Sequence, residues 1–390
     1  MVYARRAGIR NCGVRDVLGD SSDARLPKAR PCRPFGLADA GHFCATAASY
    51  PASLLGVLPP RAIRPFLHYF DEIDETVARR MLRSRPWSEI SLTSLLCDVM
   101  DENVDTDYPR THDRAWLIAR LAQDLPLLHF DCSIETHEYK SGLERWATQS
   151  DLGVVIVFRD HLLRGRDWER AYLLQAKTLY QKAGAFPLDA VYGAMDKAQQ
   201  GRANRINQHL GYELIRYLLY VPRPARLPSA TAATLRHLRD VNIAEEIFDF
   251  SRGLELYANM IGDDPILDAG LVVAPAVGLP HTFADTYAQL FKSSLPWAWF
   301  LTDVVTNSGN LGDLASGGSM WDNATPANQD LMLGIVRGEG ESLSELTAAV
   351  DGLEDRPFTV LPAHTITITV EVGTPNDPDR AVLDLLDRRN

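Results

Sequence analysis

The run Asp151-Leu-Gly-Val-Val-Ile-Val-Phe158 is the stretch of sequence that decides the fold. It is short, almost continuously apolar and rich in β-branched residues, which is typical of a strand covered on both faces. The next strand candidate, Ala171–Leu179, contains Leu173-Leu-Gln-Ala-Lys177. Because side chains alternate along a strand, Gln175 and Lys177 point to the same face. The sequence therefore predicts two neighbouring strands, the second of which carries a polar pair inside an apolar run.

Working outward from these strands, the hydrophobic periodicity predicts an ordered series of elements. Helices are expected over Phe66–Leu82, Ser88–Met100, Trp116–Leu125 and Met195–His209, and further strands over Leu127–Glu135 and Leu214–Val221. The order that follows the first helices is helix, strand, strand, strand, helix, strand. We therefore expect an α/β fold in which a mixed sheet is flanked by helices.

The second half of the chain carries weaker signals. We expect helices over Ser229–Ile261 and Leu331–Leu353, strands over Gly270–Pro275, Trp297–Val305 and His364–Val372, and a loop over Asn307–Ser319. The last strand alternates Ile and Thr, which predicts one solvent-facing side. The predicted organisation is a poorly ordered basic leader over 1–65, a core over 66–224 and an α+β C-terminal extension over 225–390.

Composition narrows the functional classes. The chain has 390 residues, 46% of them hydrophobic, and a net charge of −11, which argues against a protein that coats nucleic acid with its whole surface. No apolar run approaches the roughly 18 residues of a membrane span. The five cysteines have no zinc-site spacing, so we expect reduced thiols and a cytoplasmic protein without a membrane partner. Nucleotide-binding loops, the hydrolase elbow and the zinc-protease motif are absent from the sequence.

The remaining chemistry lies in Asp151, Gln175 and Lys177. If the two strands pair, Asp151 sits beside the polar pair on the next strand. A carboxylate and an amide oxygen are hard ligands that suit Mg²⁺, and a lysine can hold a water molecule or offset charge on a phosphate. Taken singly, Asp151 could only end a turn and Lys177 could extend along a strand edge, and these alternatives stay open.

The order of elements and the motif Asp151…Gln175-Ala-Lys177 resemble the PD-(D/E)xK, or restriction-endonuclease-like, nucleases, in the Mrr-like variant with Gln in place of the acid. The family core is α-β-β-β-α-β, the order predicted above. Glu89, at the start of the helix before the strands, resembles a glutamate that many members add to the metal site. Glu144 resembles another acid that some bacterial members carry.

The resemblance implies a metal-dependent nuclease. Asp151, Gln175 and Glu89 would bind Mg²⁺ or Mn²⁺, and Lys177 would position the attacking water. DNA is favoured over RNA as the substrate, and a homodimer and a role in bacterial defence are compatible with the family. Because Gln175 removes one negative charge from the metal site, the alternative is a catalytically weakened protein that binds nucleic acid or acts as a scaffold.

Local charge agrees with a nucleic-acid partner. Lys140–Arg223 carries thirteen basic and eight acidic residues within a chain that is acidic overall. Arg202 and Arg205 are three positions apart on a predicted helix, and with Lys182 they are candidates for phosphate contacts, although a solvated helix face is the alternative. A third class, a hydrolase or regulator whose site lies around Asn307–Ser319, has no recognisable chemistry in its support.

Overall fold

A computed structural model gives the fold of the protein. It describes residues 60–83, 87–104, 107–126, 128–138, 151–162, 167–193, 197–210, 213, 215–246, 265–306, 326–350 and 362–373. Three predictions fall on other parts of the chain: most of the basic leader, Glu144, and the loop Asn307–Ser319 lie outside the described residues.

The described residues build one seven-stranded mixed sheet. Its strands are β1 (Phe130–Glu138), β2 (Leu152–Asp160), β3 (Trp168–Thr178), β4 (Ile215–Tyr220), β5 (Leu271–Pro275), β6 (Leu295–Pro296) and β7 (His364–Val372). They lie in the order β1-β7-β2-β3-β4-β5-β6. The pairs β2–β7 and β3–β4 are parallel and the other neighbours are antiparallel. This arrangement confirms the prediction of a mixed sheet flanked by helices.

Helices cover the sheet and join its strands. Within the described ranges they are α1 (Pro60–Ala78), α2 (Glu89–Met100), α3 (Arg114–Asp124), α4 (Lys197–Leu210), α5 (Ser229–Glu246), α6 (Phe283–Gln289), α7 (Trp297–Thr306), α8 (Pro326–Arg337) and α9 (Gly340–Val350). A short 3₁₀ helix, Arg79–Leu82, continues α1. None of the described helices has a stretch long and apolar enough to cross a bilayer.

Alternating side chains of β2 supply both halves of the core. Val154 and Ile156 belong to a large apolar cluster with α1, α2 and α7, whereas Val155 and Val157 belong to a second cluster with α8. Nearly every residue of β2 is buried, as the continuous apolar run predicts for a central strand. The ends of β2 and β3 are therefore held by packing on both faces of the sheet.

The C-terminal segment is part of the same sheet as the core segment. β7 lies between β1 and β2, in parallel register with β2, and β5 and β6 extend the opposite edge beyond β4. Along β7 the isoleucines are buried while Thr367 and Thr369 are half-buried, so its second side is only partly open to solvent. The described residues of the range 225–390 thus contribute three strands to the sheet that contains β2 and β3.

Three element predictions need correction. Trp297–Val305 was expected to be a strand and is helix α7; an apolar run this short has no decisive period, and its burial on almost all sides suits either structure. The predicted helix Leu331–Leu353 is two helices, since Gly338 has a φ of +74° that a helix cannot continue through. The first helix begins at Pro60 rather than Phe66, because buried Ala62 and Ile63 extend its apolar stripe past Pro65.

Candidate functional site

Asp151 stands immediately before β2, where its backbone is fixed from two sides. Its N–H donates to the carbonyl of Leu174 on β3 at 3.0 Å, and its carbonyl accepts from the N–H of His364 on β7 at 3.1 Å. The antiparallel register that pairs Leu152 with Leu174 makes Gln175 the next residue opposite Asp151. The sheet itself therefore brings the carboxylate beside the polar pair of β3.

The Asp151 carboxylate and the Gln175 amide are in direct contact. One carboxylate oxygen accepts the Ala176 N–H at 2.8 Å and also accepts from Gln175 Nε2. Because an ionised carboxylate only accepts hydrogen bonds, the nitrogen of the amide is the end that faces it. Gln175 Oε1 is buried and has no hydrogen-bond partner among the described residues. A buried amide oxygen without a donor is costly, and either a water molecule or a bound cation would satisfy it.

Lys177 and Glu89 complete the cluster. Lys177 is 5% exposed, and its ammonium lies 3.5 Å from Glu89 Oε1. Glu89 is the first residue of α2, a helix that begins there because the Ser88 hydroxyl accepts the N–H of Ser91 at 3.2 Å. The Ser88 cap therefore fixes Glu89 as the first residue of α2.

A buried hydroxyl pair attaches the first turn of α2 to the sheet. Thr93 Oγ1 lies 3.0 Å from the Tyr220 hydroxyl of β4 and donates to the Glu89 carbonyl at 3.0 Å. Tyr220 lies on β4, which runs parallel to β3. It is paired with Thr178, the residue after Lys177. Sequence analysis did not single out Thr93, although a threonine on the apolar stripe of α2, four residues after Glu89, was a signal for such a contact.

Burial perturbs both carboxylates of the cluster. Desolvation raises the pKa of Glu89 to about 7, against the opposing effect of Lys177 and with a further increase from Asp151. Burial also raises the pKa of Asp151, which the Ala176 N–H, Lys177 and Gln175 partly offset. Both shifts arise first from desolvation, which favours the neutral acids, whereas a positive charge nearby would favour their ionised forms. A divalent cation would supply that charge.

The structure brings together Asp151, Gln175, Lys177 and Glu89, whereas the contacts of that cluster do not include the phosphate-contact candidates whose side chains are described. Arg205 is exposed on α4, and nothing is described of the Arg202 side chain on the same helix. Lys182 is exposed after β3, and its ammonium donates to the carbonyl and the carboxylate of Asp189, both at 2.7 Å. In the described part of the chain, no three His, Cys, Asp or Glu side chains form a metal-binding group by themselves.

Comparison with protein-family models, with curated proteins and with solved structures found no match for this chain.

Proposed function

We propose that the protein is a metal-dependent nuclease that hydrolyses phosphodiester bonds, with DNA as the favoured substrate. The observation that carries the proposal is the convergence of two carboxylates, a lysine and an amide oxygen that has no partner in the described part of the chain, at the adjacent ends of β2, β3 and α2. Phosphodiester hydrolysis needs a cation site, a positioned water and compensation of charge at the phosphate, and this set of groups can supply all three.

The topology around the cluster supports a restriction-endonuclease-like core. After α2 and α3 come β1, β2 and β3, and then α4 and β4. β2 and β3 form an antiparallel pair, and β3 continues through α4 to the parallel strand β4. α3 before β1 and the insertion of β7 between β1 and β2 are additions to the α-β-β-β-α-β order.

Asp151, Gln175 and Glu89 fit a divalent ion because they offer only oxygen ligands. The buried Gln175 Oε1 is the clearest sign of fit, since it has no protein donor in the described structure. Mg²⁺ or Mn²⁺, when bound there, would polarise a phosphate oxygen and acidify a bound water. The Ala176 N–H, which donates to the Asp151 carboxylate at 2.8 Å, would help to hold that carboxylate in place as a ligand.

Lys177 would act on the attacking water and on the charge of the phosphate. Its ammonium is almost wholly buried and faces Glu89, so it is held in one direction and not free to pair with bulk anions. An ammonium in a site of restricted solvent access stabilises developing negative charge more strongly than one in water. Glu89 would fix the lysine and, when ionised, contribute charge to the cation site.

A second candidate function is nucleic-acid binding on the same fold without efficient cleavage. It is favoured by the Gln175 amide donating to Asp151, an arrangement that occupies a carboxylate oxygen that a metal would need. With Gln at this position the site also has one negative charge fewer than a pair of acids would give it.

Cleavage assays separate the two candidates. The full chain is incubated with plasmid, linear duplex DNA, single-stranded DNA and RNA in Mg²⁺, in Mn²⁺ or in EDTA. We expect metal-dependent cleavage that falls at least about a thousandfold in Asp151→Asn and Lys177→Ala, with substrate affinity retained, because groups that act at the reacting phosphate contribute in this range. The exposed Lys292→Ala is the control and should cleave as the wild type does. Metal-independent binding with no cleavage of any substrate would refute the nuclease and support the binding protein.

A further inference from the structure

The hairpin that follows β3 carries an exposed aromatic ring, Tyr180. Leu179 pairs with Tyr192, and Ala183 and Gly184 form a tight two-residue turn with φ values of +51° and +79°. The turn is closed by the N–H of Lys182 on the carbonyl of Ala185 at 2.8 Å and by the reciprocal bond at 3.1 Å. Tyr180 is therefore held by a rigid hairpin, three residues beyond Lys177.

The Tyr180 ring lies directly against the backbone of Gly193. A Cβ added at Gly193 would lie 1.9 Å from a ring carbon, a distance that no real side chain could occupy. The opposite side of the ring is open, since Tyr180 is 56% exposed. The absence of a side chain at Gly193 therefore leaves room for the Tyr180 ring, which rests against the backbone on one side and is open to solvent on the other.

The hairpin also contacts a segment that carries two arginines. Gln181 Nε2 donates to the carbonyls of Met81 and Arg83, each at 3.2 Å, and so joins the hairpin to the end of the 3₁₀ helix. The guanidinium groups of Arg80 and Arg83 lie 5.3 Å and 5.5 Å from the centre of the Trp87 ring. Trp87 stands two residues before Glu89, so along the chain this basic and aromatic group directly precedes the start of α2.

The same segments also carry exposed apolar side chains. Leu82 lies between the two backbone carbonyls that Gln181 binds, Val191 accepts the Tyr180 N–H at 3.1 Å, and Ile90 follows Glu89 and is 73% exposed. We call Arg80, Leu82, Arg83, Trp87, Ile90, Tyr180 and Val191 the aromatic rim. Apolar side chains grouped at a surface and bordered by positive charge mark a binding surface, and one beside a phosphodiester site points to nucleic acid.

We propose that the aromatic rim binds single-stranded nucleic acid, with a base stacked on Tyr180 and the backbone phosphates near Arg80 and Arg83. This inference rests on the proposed function, whose substrate class it narrows. The faces of bases in a duplex are covered by their neighbours, so only an unpaired base can lie flat on an exposed ring. The arginines supply the positive charge that the acidic chain as a whole lacks, next to the cluster that would cleave the strand.

Binding to DNA in EDTA tests the inference without any need for cleavage. The probes are a labelled single strand of roughly twelve nucleotides, within the range that such surfaces cover, and the blunt duplex of the same sequence, followed by fluorescence anisotropy. We expect Tyr180→Ala to weaken binding of the single strand about tenfold and binding of the duplex less than about twofold. Tyr180→Trp should retain affinity, and the exposed Val277→Ala should bind as the wild type does.

Two further variants refine the test. Gly193→Ala retains the tyrosine but displaces its ring, and it should weaken single-strand binding as Tyr180→Ala does, with circular dichroism confirming the fold. Arg83→Ala should lower the salt dependence of log Kd by about 0.7, the loss of one phosphate contact on a single strand.

The inference is overturned if the wild type does not bind the single strand, if Tyr180→Ala binds it as tightly as the wild type, or if the variant loses single strand and duplex equally. Tyr180-dependent binding without cleavage by the wild type would instead refute the nuclease and leave the rim intact. Cleavage by the wild type together with single-strand binding that Tyr180→Ala does not weaken would support the nuclease and refute the aromatic rim.

Discussion

Two groups of buried charged side chains in this molecule differ in how completely the protein supplies their hydrogen-bond partners. The first, which we call the α1–β5 ionic cluster, consists of Asp71, Asp74, Arg223 and Asp268. The Asp74 carboxylate, 1% exposed, accepts the N–H groups of Gly270 at 2.8 Å and Leu271 at 2.7 Å. Arg223 donates to the Asp71 carboxylate at 2.8 Å and to the carbonyls of Asp71 and Asp268 at 3.2 Å and 3.3 Å.

The second group is the cluster of Asp151, Gln175, Lys177 and Glu89. Its ion pair spans 3.5 Å, and the Gln175 oxygen has no partner among the described residues. Burial raises the pKa values of acids in both groups, Asp71 and Asp74 as well as Glu89 and Asp151, so the difference lies in the contacts. In the α1–β5 ionic cluster the protein supplies the partners, and the charges hold α1 to the sheet. In the second cluster at least one buried polar atom lacks a protein partner among the described residues, which is what a site that binds a ligand would show.

The largest expected effect on stability is that of Arg223→Met. It leaves Asp71 and Asp74 buried without their cation, and breaking a buried pair from one side costs about 3–5 kcal/mol. Urea unfolding monitored by circular dichroism measures the loss. Arg226→Met is the matched control, because Arg226 is 48% exposed and pairs with Glu75 at the surface, where such pairs contribute less than about 1 kcal/mol. Equal losses for the two variants would show that the α1–β5 ionic cluster is not structural.

Gly270→Ala tests the packing of the same region. The new Cβ would lie 2.3 Å from the Ala78 Cβ and 2.6 Å from the Asp74 carboxylate, so α1 must move, at a cost of about 1–3 kcal/mol. Gly201→Ala, in α4, meets no atom within 4 Å and should raise the free energy of unfolding by about 0.5–1 kcal/mol. Differential scanning calorimetry should show Tm shifts of opposite sign; shifts of the same sign would contradict the packing described for Gly270.

Glu89→Gln tests how the raised pKa of Glu89 affects the pH dependence of stability. Since burial raises the pKa of Glu89 to about 7, the folded state holds this proton more tightly than the unfolded state does. Stability from this group is therefore present below its ordinary pKa of about 4.5 and is lost as the pH rises to about 7. The variant lacks this loss, so relative to the wild type it should gain about 1 kcal/mol between pH 5 and pH 8 in EDTA, a figure reduced for partial exposure. An unchanged difference between the two pH values would contradict the raised pKa.

Lys177→Met has the smallest expected effect on folding and separates the two clusters most sharply. Its partner Glu89 is part exposed and can take up a proton, so we expect a change below about 1 kcal/mol in the free energy of unfolding at pH 6. Cleavage should nevertheless be lost. A destabilisation as large as that of Arg223→Met would assign Lys177 a structural role instead.

The sequence predicted the parts of the fold that depend on local patterns. The continuous apolar run of β2 and the Gln-x-Lys of β3 were sufficient to place Asp151 beside Gln175, because antiparallel pairing of neighbouring strands fixes that juxtaposition. The position of β7 between β1 and β2 was not predictable, since no local pattern specifies which strand a distant segment joins. Nor was helix α7, whose apolar residues suit a buried strand as well as a buried helix.

At the candidate site, the residue types were predictable but their contacts were not. Glu89 could be proposed from its place at a helix start, yet the hydroxyl pair of Thr93 and Tyr220 depends on how α2 packs on β4. The open face of Tyr180 depends on Gly193, thirteen residues away in a hairpin whose turn the sequence analysis did not consider. Such features arise from tertiary packing, which periodicity does not encode.

The most direct test of the account is anomalous diffraction from crystals soaked in Mn²⁺. We expect a peak bound by the Asp151 carboxylate and Gln175 Oε1 at roughly 2.0–2.5 Å, with Glu89 nearby, and its disappearance in Asp151→Asn. Manganese bound only elsewhere, with the Gln175 oxygen paired to a protein donor or a water, would contradict the claim that this cluster is built to hold a metal ion.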